Sequence, residues 1–279
     1  MEQIASYDLH VHTKNSDGEN TIPEIAAMAR AAGLSGFAIT DHDTVGSKEE
    51  EEFANLCDLD ILLGVEFATD ISNMHFTAYM RTWQNNALRD FLEGQRRTRR
   101  ESLIKAADKA NEIGVAVDKE VLFSDFVNDS APGRPHLAAY LVHTGAVKDR
   151  EEAFSKYLDY GKPLYMPKER IHFKELIKRA HSEFNCLIFL AHPFLIRREK
   201  EDILKLIDEI VGEGVDGLEA YYPKHSPEET KYLLDLCEKH GLLVSGGSDF
   251  HGLSIKPDAA LGKAGVDETA FEKIRQYLK

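Results

Sequence analysis

The sequence predicts an α/β fold: a closed or nearly closed β/α barrel of about seven strands with an inserted helical cap. Three observations predict it. Apolar, β-rich runs alternate with helical patterns, and repeated strand–helix units imply a parallel sheet. The alternation stops near Ala87 and resumes after Pro163, with helical patterns alone between them. Histidines and carboxylates fall repeatedly at or just after the ends of predicted strands, the end that carries the active site in β/α barrels.

The first strand spans residues 7–12. Its alternation puts Tyr7, Leu9 and Val11 on one face and Asp8, His10 and His12 on the other. A helix follows, with Thr21 and Glu24 at capping-box spacing, Pro23 in its first turn and Gly33 as its stop. A second strand, 36–40, runs directly into Asp41-His42-Asp43. The third, 61–65, ends at Glu66, and a fourth spans 75–80. Helical patterns then cover 89–113, 135–144 and 150–160. The expected boundaries are therefore 1–86 and 164–279 for the barrel and 87–163 for the cap. Linker-like composition is lacking, so the cap is expected to pack on the barrel. Strands return at 186–191, ending in His192-Pro193, at 215–221, and at 242–245, which opens into the Gly-rich run 246–252. Helices at 201–212, 227–240 and 268–278 separate or follow them.

A length of 279 residues suits one larger domain or a domain with an insertion. Apolar residues make up 43% and no run reaches the length of a membrane span, so no membrane partner is expected. Residues 1–6 show no basic segment followed by an apolar run, so no secretory signal is expected. Cys57, Cys186 and Cys237 are far apart and none sits in a C-x-x-C pair, which disfavours a thiolate site or disulfide framework and points to the cytoplasm. A net charge of −14 disfavours an extended nucleic-acid surface. It leaves room for a small anionic substrate if metal ions reverse the field inside one pocket.

The strand-end residues carry the chemistry: His10 and His12, Asp41 and His42, Glu66, His192, and Asp249 and His251. His-x-His on a strand aims both rings to one side, where two nitrogens can bind one ion. Among twelve histidines a chance His-x-His is roughly a one-in-two event, so the weight rests on the joint pattern. Asp249-x-His251 repeats the geometry. Asp41 and Asp43 flank His42 as carboxylates that could orient its ring, and Glu66 could bridge two metals. Nitrogen and oxygen donors without thiolate suit Mn²⁺, Fe²⁺ or Zn²⁺. Several of them together suit a multi-metal site, which stabilises the attacking and leaving oxygens of a displacement.

The runs Asp8-Leu9-His10-Val11-His12-Thr13, Ser16-Asp17-Gly18, Thr40-Asp41-His42-Asp43-Thr44, Gly64-Val65-Glu66, Ala191-His192-Pro193 and Gly247-Ser248-Asp249-Phe250-His251-Gly252 resemble the motifs of the PHP (polymerase and histidinol phosphatase) family. Gly133-Arg134-Pro135-His136 and Tyr221-Tyr222-Pro223-Lys224-His225-Ser226 resemble its branch of nucleoside 3′,5′-bisphosphate phosphatases and RNase AM-type exonucleases. The resemblance implies a distorted (β/α)7 barrel and a metal-dependent phosphoric ester hydrolase using two or three divalent ions. It implies that His10, His12, Glu66 and Asp249 hold the first ion, Glu66, His75 and His192 the second, and Asp17, His42 and His251 the third. Asp17 otherwise reads as a turn residue before Gly18, and His75 as an ordinary strand histidine. The resemblance also implies that Arg134 and His136 bind substrate phosphate, with His225 as a further phosphate contact or leaving-group acid. Arg96, Arg97, Arg99 and Arg100 are expected to form a solvated helix face.

The expected reaction is in-line attack on phosphorus by a hydroxide bridging the metals, with a bound water, Asp249 or His225 protonating the leaving oxygen. A small phosphorylated metabolite is the expected substrate, led by a nucleoside 3′,5′-bisphosphate. The alternatives are a phosphodiesterase acting on a small cyclic phosphate or trimming short RNA from its 5′ end, and a metal-binding module without catalysis.

Overall fold

Every residue of the first strand, β1 (Tyr7–Val11), is buried, so its alternation separates two interior surfaces rather than core from solvent. The computed structural model describes residues 6–124, 131–167 and 169–278. β1 is joined in one sheet, in sequence order, by β2 (Gly36–Ile39), β3 (Asp60–Ala68), β4 (His75–Met80), β5 (Leu187–Ala191), β6 (Gly217–Tyr221) and β7 (Leu243–Gly246). The result is a nearly closed seven-stranded barrel.

The sheet is not wholly parallel, as the strand–helix alternation predicts. β4 runs antiparallel to both β3 and β5, while the other neighbouring pairs are parallel. The cause is the connection. Residues 69–74 are too few for a crossover, which takes a dozen or more, so the chain can only turn back. The Thr69 N–H and hydroxyl both donate to Met74 O, at 3.2 and 2.9 Å, and close that turn.

Closure comes from the run after β7, which bonds along the free edge of β1. His12 N–H donates to Phe250 O at 2.8 Å, and Phe250 N–H to His10 O at 3.3 Å. A side chain at Gly247 would place its Cβ 2.4 Å from the His10 nitrogen, so only glycine lets the two backbones meet. At the other end, Tyr7 stacks on Phe271 with centroids 3.9 Å apart, and both belong to an apolar cluster with Leu9, Ala38 and Phe189.

The helix Ile22–Ala31 begins as its sequence signals predict: the Thr21 N–H and hydroxyl donate to the Glu24 carboxylate at 2.7 and 2.9 Å. Among the described residues three α-helices were not predicted: Lys48–Leu56, Lys119–Ser124 and Phe173–Arg179. The run of four glutamates hid the first of these, but Ser47 and Glu50 cap it reciprocally.

Contacts divide the chain into two compact units, Met1–Phe91 with Arg170–Lys279, and Leu92–Glu169. The second is helical. It takes the long helix Asn86–Glu112 from Leu92 onward, then Lys119–Ser124, Arg134–His143 and Arg150–Ala153. The helix expected over 150–160 becomes a π-helical turn, Phe154–Leu158, after its first four residues. Leu103, Ala107, Leu137, Leu141 and Leu158 are among the residues of this unit's own core. Among the described residues no helix is long and apolar enough to cross a membrane.

Candidate metal centre

All nine residues assigned to metal by the resemblance lie at one rim of the barrel unit. His10 and His12 come from β1. Asp17 sits in the turn that follows, where Thr13 and Ser16 donate to the Asp41 carboxylate. Asp41 is therefore committed to that turn and does not orient His42, as its position beside the histidine suggested. Asp43 accepts from Ala68 N–H at 3.1 Å. Glu66 lies inside β3, which runs two residues past it, rather than beyond the strand's end. His75 opens β4. Because that strand is antiparallel, its first residue reaches the rim where the parallel strands finish, paired with Ala68 on one side and Ala191 on the other. His192 follows β5, and Asp249 and His251 follow β7.

Glu66 is the hub. Its Oε1 lies 2.9 Å from His75 Nδ1 and 3.0 Å from His192 Nε2. Its Oε2 lies 2.8 Å from His42 Nδ1, 3.3 Å from His12 Nε2 and 3.5 Å from His10 Nε2. Asp249 Oδ1 is 3.4 Å from His12 Nε2, and Asp17 Oδ1 is 3.3 Å from His251 Nε2. Among the described residues three overlapping sets have donor atoms within 4.8 Å of one another: His10, His12 and Glu66; His42, Glu66 and His75; and His12, Asp17, His42 and His251. They regroup the implied ligand sets, with His42 taking the place of His192 beside Glu66 and His75.

The donor atoms fit cations. His10 Nε2, His12 Nε2, His42 Nδ1, Asp17 Oδ1 and Glu66 Oε2 are buried, and none has a hydrogen-bond partner. Buried polar atoms are normally satisfied. Here lone-pair atoms converge at short range without hydrogen-bond geometry, as they do around a shared divalent ion bound at about 2.0–2.2 Å from each donor.

The field is anionic. Burial alone would raise the Glu66 carboxyl, but the His42, His75 and His10 rings hold it well below the carboxylate range. Asp17 and Asp249 are likewise lowered against burial, Asp17 mainly by His42 and His251, Asp249 mainly by Lys256 and His10. Burial pushes His42 down to about 4 and lowers His75 and His251, leaving bare ring nitrogens. Burial also disfavours charge on His12, yet Asp249 and Glu66 raise it to about 9, and Glu219 and Glu66 raise His10. These two rings are therefore protonated at neutral pH until a metal takes their lone pairs. Metal binding at pH 7 should release roughly one to two protons, and affinity should rise with pH toward about 9. Calorimetric titration of Mn²⁺ in buffers of different ionisation enthalpy measures this; zero release would contradict it.

His192 and Asp249 sit in left-handed backbone, with φ of 28° and 56°, as does Asp43 at 46°. Such conformations cost non-glycine residues about 1–3 kcal/mol and cluster at functional sites.

Asp249 Oδ2 accepts from Tyr222 Oη at 3.0 Å and from Lys256 Nζ. Its carboxyl is thus ionised, suited to a ligand and not to the proton-donating role expected of it. His225 Nδ1 donates to Ala220 O at 3.0 Å, Nε2 is buried without a partner, and burial lowers the ring's pKa. At neutral pH His225 therefore offers an acceptor rather than an acid.

Arg134 and His136 belong to the helical unit. Arg134 Nη1 donates to Leu158 O at 3.1 Å, with its guanidinium 5.3 Å from the Tyr165 ring centre. His136 Nδ1 accepts from Gly133 N–H at 3.1 Å. The expectation of a solvated arginine face holds for Arg97 and Arg100, which are exposed, and fails for Arg96 and Arg99. Arg99 is 7% exposed and lines a small cleft with Arg134, Gly133 and Ser102. Arg96, three residues away on the same helix face, pairs with Glu93 at 2.7 Å.

Sequence reasoning missed Glu219, Tyr222 and Lys256 as neighbours of the site. Glu219 had a signal: it is the one charged residue in the strand Gly-Leu-Glu-Ala-Tyr.

A PHP domain family model matches residues 8–240. The 5′-3′ exoribonuclease Rnm of Salmonella typhimurium is 31% identical over 253 residues, covering 88% of this chain and 85% of that one. The 3′,5′-nucleoside bisphosphate phosphatase of Chromobacterium violaceum is 30% identical, covering 89% and 88%. A crystal structure described as a putative metal-dependent phosphoesterase from Bifidobacterium adolescentis superposes with a TM-score of 0.86 at 28% identity, covering 97% and 96%.

Proposed function

Because the chain belongs to the PHP domain family and is a metal-dependent phosphoesterase, we propose that it removes the 3′-phosphate of a nucleoside 3′,5′-bisphosphate or a similar small nucleotide. The observation that carries the hydrolytic part is the convergence of five histidine rings within 3.5 Å of the Glu66 carboxylate, with His10 Nε2, His12 Nε2 and His42 Nδ1 buried there without a hydrogen-bond partner. The likeness to the Chromobacterium enzyme supports the substrate.

His10, His12, Glu66 and Asp249 would hold one ion, Glu66, His75 and His192 a second, and Asp17, His42 and His251 a third. Bound Mn²⁺, Fe²⁺ or Zn²⁺ would polarise the attacking water and neutralise charge on the phosphoryl oxygens. Lys256 and Tyr222 hold Asp249 ionised and fix its second oxygen. Arg134 and His136 bind substrate phosphate, the guanidinium fork matching two of its oxygens. His225 Nε2 accepts a hydrogen bond from a substrate hydroxyl.

A second reading is 5′-to-3′ trimming of short RNA, favoured by the likeness to the Salmonella exoribonuclease. The two readings share most of their chemistry. A nucleoside 3′,5′-bisphosphate and a 5′-phosphorylated RNA both place a phosphate ester on O3′, and differ in whether that phosphate carries another nucleoside. Incubating the Mn²⁺-loaded protein with adenosine 3′,5′-bisphosphate, a cyclic nucleotide and a 5′-phosphorylated oligonucleotide separates them. Inorganic phosphate released fastest from the bisphosphate, leaving adenosine 5′-phosphate, is expected; faster release of mononucleotides from the oligonucleotide selects the second reading. In the same assay Arg134→Met should raise KM about 10- to 100-fold with little change in kcat, the loss of one charge-assisted contact. An unchanged KM would remove Arg134 from the substrate site.

A further inference from the structure

We propose that Glu219 is a positioning residue of the metal centre: one buried carboxylate that sets the tautomer of His10 and anchors the backbone of His192. The inference rests on the reading above that these two histidines hold metal. Glu219 lies in β6 and is fully buried. Its Oε1 accepts from His10 Nδ1–H at 2.9 Å, and its Oε2 accepts from the His192 backbone N–H at 2.6 Å. The two partners come from β1 and from the end of β5, so a single side chain ties two ligand-bearing segments to a third strand.

Each bond has a specific effect. A histidine that donates from Nδ1 must present Nε2 to the metal, and His10 Nε2 is the buried atom without a hydrogen-bond partner that faces Glu66 and Asp249. The second bond acts on a residue in an uncommon conformation. His192 has φ 28° and ψ 58°, and a short hydrogen bond from its N–H to a fully buried acceptor holds it there. Glutamine is the discriminating replacement, because it keeps the shape. Its amide offers one acceptor where Glu219 offers two. If its oxygen serves His10, its NH₂ meets the His192 N–H, donor against donor. If it flips, the NH₂ favours the wrong His10 tautomer and puts the proton on Nε2.

The test compares full-length wild type with Glu219→Gln and Glu219→Asp, each stripped of metal and titrated with Co²⁺. Affinity and the visible spectrum of the bound ion are read beside the melting temperature of the metal-free proteins. Co²⁺ affinity of Glu219→Gln is expected to fall about 10- to 100-fold, with an altered spectrum. Glu219→Asp keeps the charge but shortens the reach, and is expected to lose less. If Glu219→Gln does not fold, Glu219→Asp is read by the same criteria. Affinity within twofold of wild type with an unchanged spectrum overturns the proposal, as does a fall in metal-free stability alone. Absence of Co²⁺ uptake by wild type would instead overturn the metal-centre reading on which it rests.

Discussion

Glu66→Ala should abolish phosphate release while leaving the barrel folded. The carboxylate lies within 3.5 Å of five imidazoles, from His10, His12, His42, His75 and His192, and both of its oxygens are used. No other described carboxylate reaches so many. Without it the histidines lose their shared counter-charge, and ions that it would bridge lose a common ligand. A metal contributes several kcal/mol to stabilising the transition state, and each tenfold in rate is about 1.4 kcal/mol. The expected loss in kcat is therefore on the order of a thousandfold or more. Elemental analysis should show at least one fewer ion per chain. The fold should survive, because Glu66 is held in β3 by its backbone bonds, among them Glu66 N–H to Asp41 O at 3.0 Å and Asp43 N–H to Glu66 O at 2.9 Å. Circular dichroism beside the assay checks that separation. Wild-type turnover in a folded Glu66→Ala protein would sink the assignment.

Gly247→Ala should be strongly destabilising. The added Cβ would lie 2.4 Å from both the nitrogen and the Cβ of His10, well inside contact distance. The neighbours are the backbone and Cβ of His10, which cannot rotate away. Relief means parting β1 from the segment after β7, and so breaking the His12–Phe250 bond that closes the barrel. Overpacking typically costs 1–3 kcal/mol, and this clash belongs at the top of that range. Near 3 kcal/mol corresponds to a melting temperature lower by roughly 6–12 °C at this chain length. Metal content should fall as well, since Asp249 and His251 ride on the displaced segment. Differential scanning calorimetry of metal-free protein measures the first effect, and an unchanged Tm would show that the segments yield without cost.

The two expectations show where the sequence was legible. His10, His12, His42, His192, Asp249 and His251 were found because each stands at the finish of an apolar run, and strand ends in a barrel share one rim. His75 broke that rule because it begins its strand. Only the reversal forced by the short 69–74 connection carries it to the same rim, and direction is not visible in periodicity. Asp17 gave no periodic signal at all, since a turn residue is placed by its hydrogen bonds, here those of Thr13 and Ser16 to Asp41. Arg99 was misread for the opposite reason. A helix rich in arginines suggests solvent, whereas spacing of three puts Arg96 and Arg99 on one face, and that face is largely covered.

The left-handed backbone at Asp43, His192 and Asp249 bears on any attempt to make a hardier variant of this protein. A designer ranking positions by conformational relief would put these three first, since glycine adopts that geometry freely. Each such exchange would relieve the backbone at the expense of the rim, because two of the three are proposed to hold metal, the third sits next to His42, and the Asp43, His192 and Asp249 side chains all make buried hydrogen bonds there. Thermal hardening of this chain therefore belongs in other left-handed turns, such as those at Asn73 and Asn185, where the side chain has no part in the chemistry.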